Sequence, residues 1–555
     1  MTAGNKPWFN AWPENMPKSI KQCIPLHDIL ERAAKQYPEK ASIAFFNREF
    51  TFRDLNLFSE EFAAALASVG ISKGEIVAIF LPNIPQFVIA YFGILKMGAV
   101  VTTISPLSKE REIEHQLLDS GAKTIVTLDS LHQLNEKVWR RTKLRTVIIT
   151  GLEDYASETT RSPSIVKQEP KTYYFNEMLK KNKGVTPPRL IINPRKDLAA
   201  LQYTGGTTGI AKGAMLTHAN LVSNALAFGA WIKGKTANER FLTALPLFHI
   251  YGMTTSMNVP ISLASKMVLL PRFDPQTALA SIQKHKITVF CGVPTMYSQL
   301  LSNPHINQYD LSSIRVCISG ASSLPPQVQR RFMEITGGLL AEGYGLTEAS
   351  PVTHCNPVDG TMRTVRVGSI GLPLPDTDAR IVDVETGKTA LLPGLTGELA
   401  VKGPQVMKGY WKNSEETTLV LRDGWLLTGD IGKMDKDGYF YITDRKKDLI
   451  KYKGYSVYPR EIEDVIYEHP AVKLCAVVGK SDPEQGEISK AFITLKDGAK
   501  ATNSEILEFI KERVAPYKVV HEVEFRKELP LSSAGKVLRR ILQEEEKEQN
   551  KRLHL

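Results

Sequence analysis

Apolar residues along this chain recur in two alternating rhythms. Over residues 26–37 they fall at helical spacing (Leu26, Ile29, Leu30, Ala33, Ala34, Tyr37), and the run stops at Pro38. A second helix opens at residues 51–55, with Leu55, Phe58, Phe62, Leu66 and Val69 on one face and Gly70 past its end. Between such segments lie short, largely apolar or β-branched runs at 77–81, 124–128, 145–150, 198–201, 287–290 and 314–319. Strands buried on both faces read this way, and their alternation with helices predicts a large α/β domain built on parallel sheets. Residues 157–188 are polar and proline-containing, which predicts a surface excursion. From 368 to 411, alternating apolar positions with Pro and Gly turns predict a β-rich subdomain. Beyond it, runs at 473–478, 489–495 and 522–525 and helical spacing at 459–466 and 504–514 predict a smaller α+β domain. Pro459 and the acids that follow it read as the start of a capped helix. The expected division is residues 1–446 and 447–555, with no internal repeat.

Composition narrows the setting. A chain of 555 residues with 43% hydrophobic content buries a sizeable core. Its mean hydropathy of −0.17 is that of a globular protein in water. The stretch 77–104 is broken by Pro82, Pro85 and Lys96, short of a membrane span, and no signal-peptide pattern opens the chain. Five cysteines with no CxxC spacing argue against a disulfide framework or a zinc site and fit a reducing compartment. The net charge of +11 suits polyanionic partners. No dense Lys/Arg block with interleaved aromatics accompanies it, which sets nucleic acid aside. The expected location is the cytoplasm; peripheral contact with the inner face of a membrane and homodimer formation are left open.

The chemistry concentrates at Tyr203-Thr204-Gly205-Gly206-Thr207-Thr208-Gly209-Ile210-Ala211-Lys212-Gly213. Four glycines and three threonines in ten positions let backbone N–H groups and hydroxyls surround an anion, and Lys212 adds a mobile positive charge. That is chemistry for a polyphosphate. It is not a Walker A loop, because Ala211 stands where the second Gly is required and Gly213 follows the lysine. A flexible surface loop would account for the glycines but not for the Thr/Gly/Lys order. The second constellation is Leu340-Ala-Glu342-Gly343-Tyr344-Gly345-Leu346-Thr347-Glu348. Tyr344 offers a ring for stacking, Thr347 a hydroxyl, and Glu348 the hard oxygen that Mg²⁺ takes when shared with a triphosphate. Gly320-Ala321 ends a strand at a tight turn where backbone could approach a flat base.

Together these motifs resemble the adenylate-forming superfamily of acyl-CoA synthetases, firefly-type luciferases and peptide-synthetase adenylation domains. The usual family loop has Ser at Gly205 and Pro at Ala211; the version here is similar to bacterial long-chain fatty acyl-CoA synthetases. The resemblance covers residues 25 to 545 with its motifs in order. It implies a ligase that uses ATP, Mg²⁺ and coenzyme A to activate a medium- to long-chain fatty acid through an acyl-adenylate. By the same resemblance, Thr204 to Lys212 hold phosphates, and Gly320, Ala321, Glu342, Gly343 and Tyr344 surround adenine. Thr347 and Glu348 serve phosphate and metal, Asp430 and Arg445 the ribose, and Lys451 the AMP moiety. Lys536, in 529–540, bridges carboxylate and α-phosphate, although Leu531 replaces the usual family lysine. His249, Met253 and Val352 line the acyl and pantetheine passage, Lys453 and Gly454 meet coenzyme A, and Lys447 is the hinge. A lone histidine on an apolar helix is otherwise a core residue, and Asp430 a turn aspartate. An aryl-acid ligase is the alternative, since 450–454 also resembles coumarate ligases. A peptide-synthetase adenylation module is less expected, because no carrier domain with its serine attachment site follows residue 545. A silent nucleotide-binding scaffold would have lost Glu348 or Lys536, and both are present.

Overall fold

The computed structural model describes residues 6–20, 22–156, 171–204, 211–358, 364–453, 455–482, 484–531 and 537–553. The chain forms two compact units, one of Ala11–Asp378 with Lys402–Gly424, the other of Met1–Asn10, Ala379–Val401 and Trp425–Leu555. The division expected after residue 446 falls inside the second unit.

The larger unit is α/β, as its alternating rhythms predict. A seven-stranded sheet runs Thr172–Tyr174, Thr146–Thr150, Thr124–Leu128, Ile76–Phe80, Val100–Thr103, Leu198–Thr204, Lys212–Thr217. Every pair in it is parallel except the last, which is an antiparallel hairpin. A nine-stranded sheet has parallel strands at its centre, among them Val289–Gly292, Val316–Ser319 and Leu339–Gly345. Antiparallel strands close its two edges, Val352–Cys355 beside Leu339–Gly345 and Arg48–Thr51 beside Ala41–Phe45.

Local sequence accounts for how these elements begin and pack. Thr51 accepts from the Asp54 N–H and Asp54 reaches back to Thr51, a capping box that starts the helix Phe52–Ser68. Pro85 at the first turn starts the helix Pro85–Lys96, which is buried along its whole length. Its Lys96 is 7% exposed yet satisfied, donating to Asn56 Oδ1 at 2.7 Å and Glu60 Oε1 at 3.2 Å. Leu279, Ile282, Phe290, Tyr297, Phe332 and Leu340 form part of the core under the nine-stranded sheet. No helix among the described residues is long and apolar enough to cross a membrane.

Two segments depart from expectation. Within the stretch read as a surface excursion, Thr172–Tyr174 forms the edge strand of the seven-stranded sheet, and Phe175–Lys181 is a helix with Phe175, Met178 and Leu179 buried. Three apolar anchors among lysines are too sparse to register as a pattern, but they are enough to dock one short helix. Residues 157–170 of that stretch lie outside the described residues. The β-rich reading of 368–411 holds for Asp378–Val382 and Gly397–Lys402. Residues 407–411 instead lie along the strand Lys212–Thr217, with Met215 N donating to Gly409 O at 2.9 Å and Trp411 N to Gly213 O at 2.8 Å. An unpaired sheet edge needs partners for its amides, and this segment supplies them.

In the smaller unit Gly397–Lys402, Trp425–Met434 and Phe440–Arg445 form antiparallel pairs. A five-stranded sheet follows, in which Gly486–Leu495 pairs antiparallel with Val472–Asp482 and parallel with Glu522–Phe525. Ile450, Ile462, Ile466, Val477, Ile493 and Ile506 make its core. The helix Pro459–Tyr467 has Pro at its start and Glu461 in its first turn, but Tyr458 gives it no side-chain cap. One cation ties the unit together. Arg539 donates to Asp444 Oδ1 at 3.3 Å, Asp448 Oδ2 at 3.2 Å and Glu463 Oε1 at 2.9 Å, and again to Glu463 through its second terminal nitrogen. Burial raises the Asp444 carboxyl to about 6 against the opposing pull of Arg539.

Breaking a buried ion cluster from one side strands the remaining charges. Arg539→Met is expected to cost about 3–5 kcal/mol of stability. Chemical unfolding monitored by circular dichroism checks this, and a loss below about 1 kcal/mol would contradict the reading.

Candidate active site

The glycine-rich stretch is the connection of a hairpin. The strands Leu198–Thr204 and Lys212–Thr217 pair with Tyr203 opposite Gly213 and Thr204 opposite Lys212. Gly205, Gly206, Thr207, Thr208 and Gly209 lie outside the described residues, as do Gly454 and Lys536. The hairpin therefore fixes the two ends of the stretch, Thr204 and Lys212, across one pair of strands. Side chains brace both ends. His115 Nε2 lies 3.1 Å from Ala211 O, and the Tyr203 hydroxyl donates to Asp119. Burial and that neighbouring carboxylate hold the Tyr203 phenol well above its usual range, so it stays a donor.

Lys212 points into a charged cluster. Its Nζ lies 2.7 Å from Glu416 Oε2 and 5.6 Å from the centre of the Tyr410 ring. The Tyr410 hydroxyl donates to Glu348 Oε1 at 2.7 Å, and Met407 N donates to Glu348 O at 2.7 Å. Lys212 and Glu348, 136 positions apart in sequence, thus meet across one tyrosine. Burial first, then Glu348, raises the Tyr410 phenol far above its usual range and keeps it protonated. Thr347 opens the short helix Thr347–Ala349 that carries Glu348. Tyr410 and Glu416 are functional candidates that sequence reasoning missed. Gly409-Tyr410-Trp411 stood out only as the end of a β-rich stretch, and a charge in a short helix carries no motif.

Gly320, Ala321, Glu342, Gly343 and Tyr344 gather at the ends of two adjacent strands. Val316–Ser319 and Leu339–Gly345 are parallel, with Ser319 opposite Glu342. Ligands of open α/β sheets bind beyond the carboxyl ends of such strands. A side chain at Gly320 would come within 3.0 Å of the Tyr251 ring, whose hydroxyl donates to Ile318 O at 2.9 Å. Ala321 adopts a left-handed φ of 68°, which turns the backbone away from the strand. At Gly345 a Cβ would sit 2.2 Å from Pro351 O, so only glycine lets Leu339–Gly345 cross the segment after Glu348. The Tyr344 ring meets the buried His354 ring edge-on at 6.1 Å.

His249 caps the helix Ile250–Met253, its Nδ1 accepting from Tyr251 N at 3.2 Å. The helix continues through a π-helical turn, Thr254–Asn258, and Met253 and Met257 are fully buried in it. Val352 is buried and clamped by Asn224, which donates to its carbonyl at 2.6 Å and accepts from its N–H at 3.1 Å. Desolvation pulls His249 down to about 4 and His354 to about 3, so both rings are neutral at physiological pH.

In the smaller unit the strands pair Asp430 with Arg445, and Arg445 Nε lies 3.1 Å from Asp430 Oδ1. Lys447 follows directly, its ammonium lowered to about 8 by burial against the pull of Asp448, 4.0 Å away. Lys451 sits on the strand Ile450–Tyr452, its N–H donating to Glu487 Oε2 at 2.7 Å. Lys453 turns that strand with a left-handed φ of 46°.

Comparison with known proteins shows the family. The AMP-binding enzyme family matches residues 30–411, and the AMP-binding enzyme C-terminal domain matches residues 461–536. A long-chain-fatty-acid–CoA ligase of Bacillus subtilis is 45% identical over 98% of this chain and 98% of its own. A 4-coumarate-CoA ligase of Narcissus pseudonarcissus is 34% identical over 94% of this chain and 93% of its own. Among solved structures, ATP-bound MatB from Rhodopseudomonas palustris superposes with a TM-score of 0.82 at 30% identity, covering 93% of this chain and 98% of that one.

The buried histidines carry a pH signature. A histidine with a folded pKa below its unfolded value of 6.5 stabilises the fold above 6.5, and that contribution is lost as pH falls through the folded value. The urea midpoint is therefore expected to fall as pH drops from about 6.5 toward 3, and His354→Asn should flatten that fall. A pH slope unchanged by the substitution would contradict the assignment.

Proposed function

Because this chain belongs to the AMP-binding enzyme family, we propose that it uses the assembled site to ligate a medium- to long-chain fatty acid to coenzyme A. The observation that carries the reading is the meeting of Lys212 and Glu348 across Tyr410, beside the paired Thr204. A cation, a hydroxyl and a hard carboxylate placed together suit a metal-bound triphosphate.

The reaction has two displacements. A carboxylate oxygen of the fatty acid attacks the α-phosphorus of ATP; a P–O bond forms, the bond to pyrophosphate breaks, and an acyl-adenylate results. The thiolate of coenzyme A then attacks the acyl carbon; a C–S bond forms and AMP leaves. No protein nucleophile is required, so the chain contributes positioning and charge stabilisation. Thr204 and Lys212 are assigned to the phosphates, with Gly205, Gly206, Thr207, Thr208, Gly209 and Ala211 supplying amides and hydroxyls. Gly320, Ala321, Glu342, Gly343 and Tyr344 are assigned to adenine. Glu348, with Thr347 beside it, fits Mg²⁺, which when bound neutralises the charge that develops on pyrophosphate. Asp430 and Arg445 are assigned to ribose, Lys451 to AMP, Lys536 to the carboxylate and α-phosphate, Lys453 and Gly454 to coenzyme A, and Lys447 to the pivot. A neutral His249, with the buried Met253 and Met257 on the helix it opens and the buried Val352 assigned to the same passage, suits an apolar chain and leaves no buried charge to desolvate.

An aryl acid is the second reading, favoured by the 34% identity to the coumarate ligase. Steady-state kinetics over acids from acetate to oleate, plus cinnamates, separates the two. Each buried methylene contributes about 0.8 kcal/mol, so kcat/KM should climb about fourfold per methylene until the passage is full. Cinnamates outrunning every fatty acid would overturn the substrate class and leave the ligase intact.

Glu348→Gln removes a preorganised charge from the metal. It should weaken adenylation by about 2–4 kcal/mol, read as pyrophosphate release at limiting Mg²⁺. Release at the wild-type rate would contradict the role.

A further inference from the structure

Lys212 is not an isolated cation. Its ammonium lies 2.7 Å from Glu416 Oε2, with the two side chains 19% and 34% exposed. Glu416 stands in the first turn of the helix Ser414–Val420, and its placement is built into the backbone. Its N–H donates to the capping Asn413 Oδ1 at 3.1 Å. The neighbouring Thr417 Oγ1 donates to Asn413 O at 2.7 Å and accepts from Tyr410 N at 2.9 Å. Tyr410 is in turn bridged to Ala214 on the strand that carries Lys212. The backbone segments that carry Glu416 and Lys212 are therefore held beside each other by main-chain and capping hydrogen bonds.

Two anions cannot share one ammonium without mutual repulsion. We propose that Glu416 is a built-in competitor for the phosphates of ATP: its carboxylate must yield the ammonium of Lys212 to a phosphate oxygen, and it reclaims the ammonium when pyrophosphate leaves. Glu416 thereby sets the affinity for nucleotide and speeds product departure. Tyr410 makes the exchange orderly. Its ring keeps Lys212 nearby through a cation–π contact at 5.6 Å, and its hydroxyl holds Glu348 separately. Neutralising Glu416 removes the competing charge without releasing either of the other two groups. The inference rests on the phosphate role proposed for Lys212.

The test is steady-state kinetics of the full-length chain with ATP varied and pyrophosphate as inhibitor. Wild type, Glu416→Gln, Lys212→Met and the double variant are compared. For a partly exposed pair, Glu416→Gln should lower both KM for ATP and Ki for pyrophosphate by about threefold to tenfold, with KM for the fatty acid unchanged. Lys212→Met should raise KM for ATP, and in that background Glu416→Gln should shift it by less than about twofold, because the partner is gone. A Glu416→Gln variant with unchanged or raised KM for ATP overturns the inference. So does an equal fall in both backgrounds, which would mark a diffuse charge effect. If Lys212→Met leaves KM for ATP unchanged, the phosphate role itself fails, a result distinct from failure of the Glu416 variant alone.

Discussion

The antiparallel register that sets Thr204 opposite Lys212 is the constraint on which the larger unit's site depends. The rest of its seven-stranded sheet is parallel, and a parallel strand cannot be closed by a short turn. Reversing direction at the last strand allows the seven residues between Thr204 and Lys212 to leave and return to one place. It also creates a sheet edge, and residues 407–411 satisfy that edge through main-chain hydrogen bonds to Gly213 and Met215. Those bonds bring Tyr410 under Lys212 and beside Glu348. One register thus places a cation, a phenol and two carboxylates drawn from three distant parts of the chain.

Electrostatics in the two units follow one rule: a buried charge is kept where an opposite charge or a strong acceptor answers it, and buried rings whose charged form desolvation disfavours are neutral. Lys96 and Arg539 are buried and answered by carboxylates or amide oxygens. His249 and His354 are buried and held uncharged. A ligase whose substrates are a polyphosphate and an apolar chain needs both environments close to each other. The charged cluster around Lys212 and the neutral, methionine-lined helix after His249 supply them within one unit.

Much of this was legible in the sequence. Parallel sheets followed from β-branched runs such as 124–128 alternating with amphipathic helices, and Thr204 to Lys212 stood out through glycine and hydroxyl density. Glu348 stood out through its place after the Gly- and Thr-rich stretch rather than through its own bend, and only the fold shows it bonded to Tyr410 beside Lys212. Tyr410, Glu416 and Arg539 were not legible. Tyr410 acquires its importance only when an edge strand recruits residues 407–411, a long-range pairing without local signature. Arg539 lies in a basic run, Arg539-Arg540, that reads as a solvated helix face until three carboxylates converge on it. The helix Phe175–Lys181 was hidden for a similar reason, since seven residues are too few to display a period.

The central claim is that the fatty acid carboxylate attacks the α-phosphorus of ATP directly. Labelling both carboxylate oxygens with oxygen-18 tests it, with mass spectrometry of the nucleotide and pyrophosphate after one turnover with coenzyme A. Direct attack predicts one labelled oxygen in AMP and none in pyrophosphate. AMP without label, or label in pyrophosphate, would contradict the account.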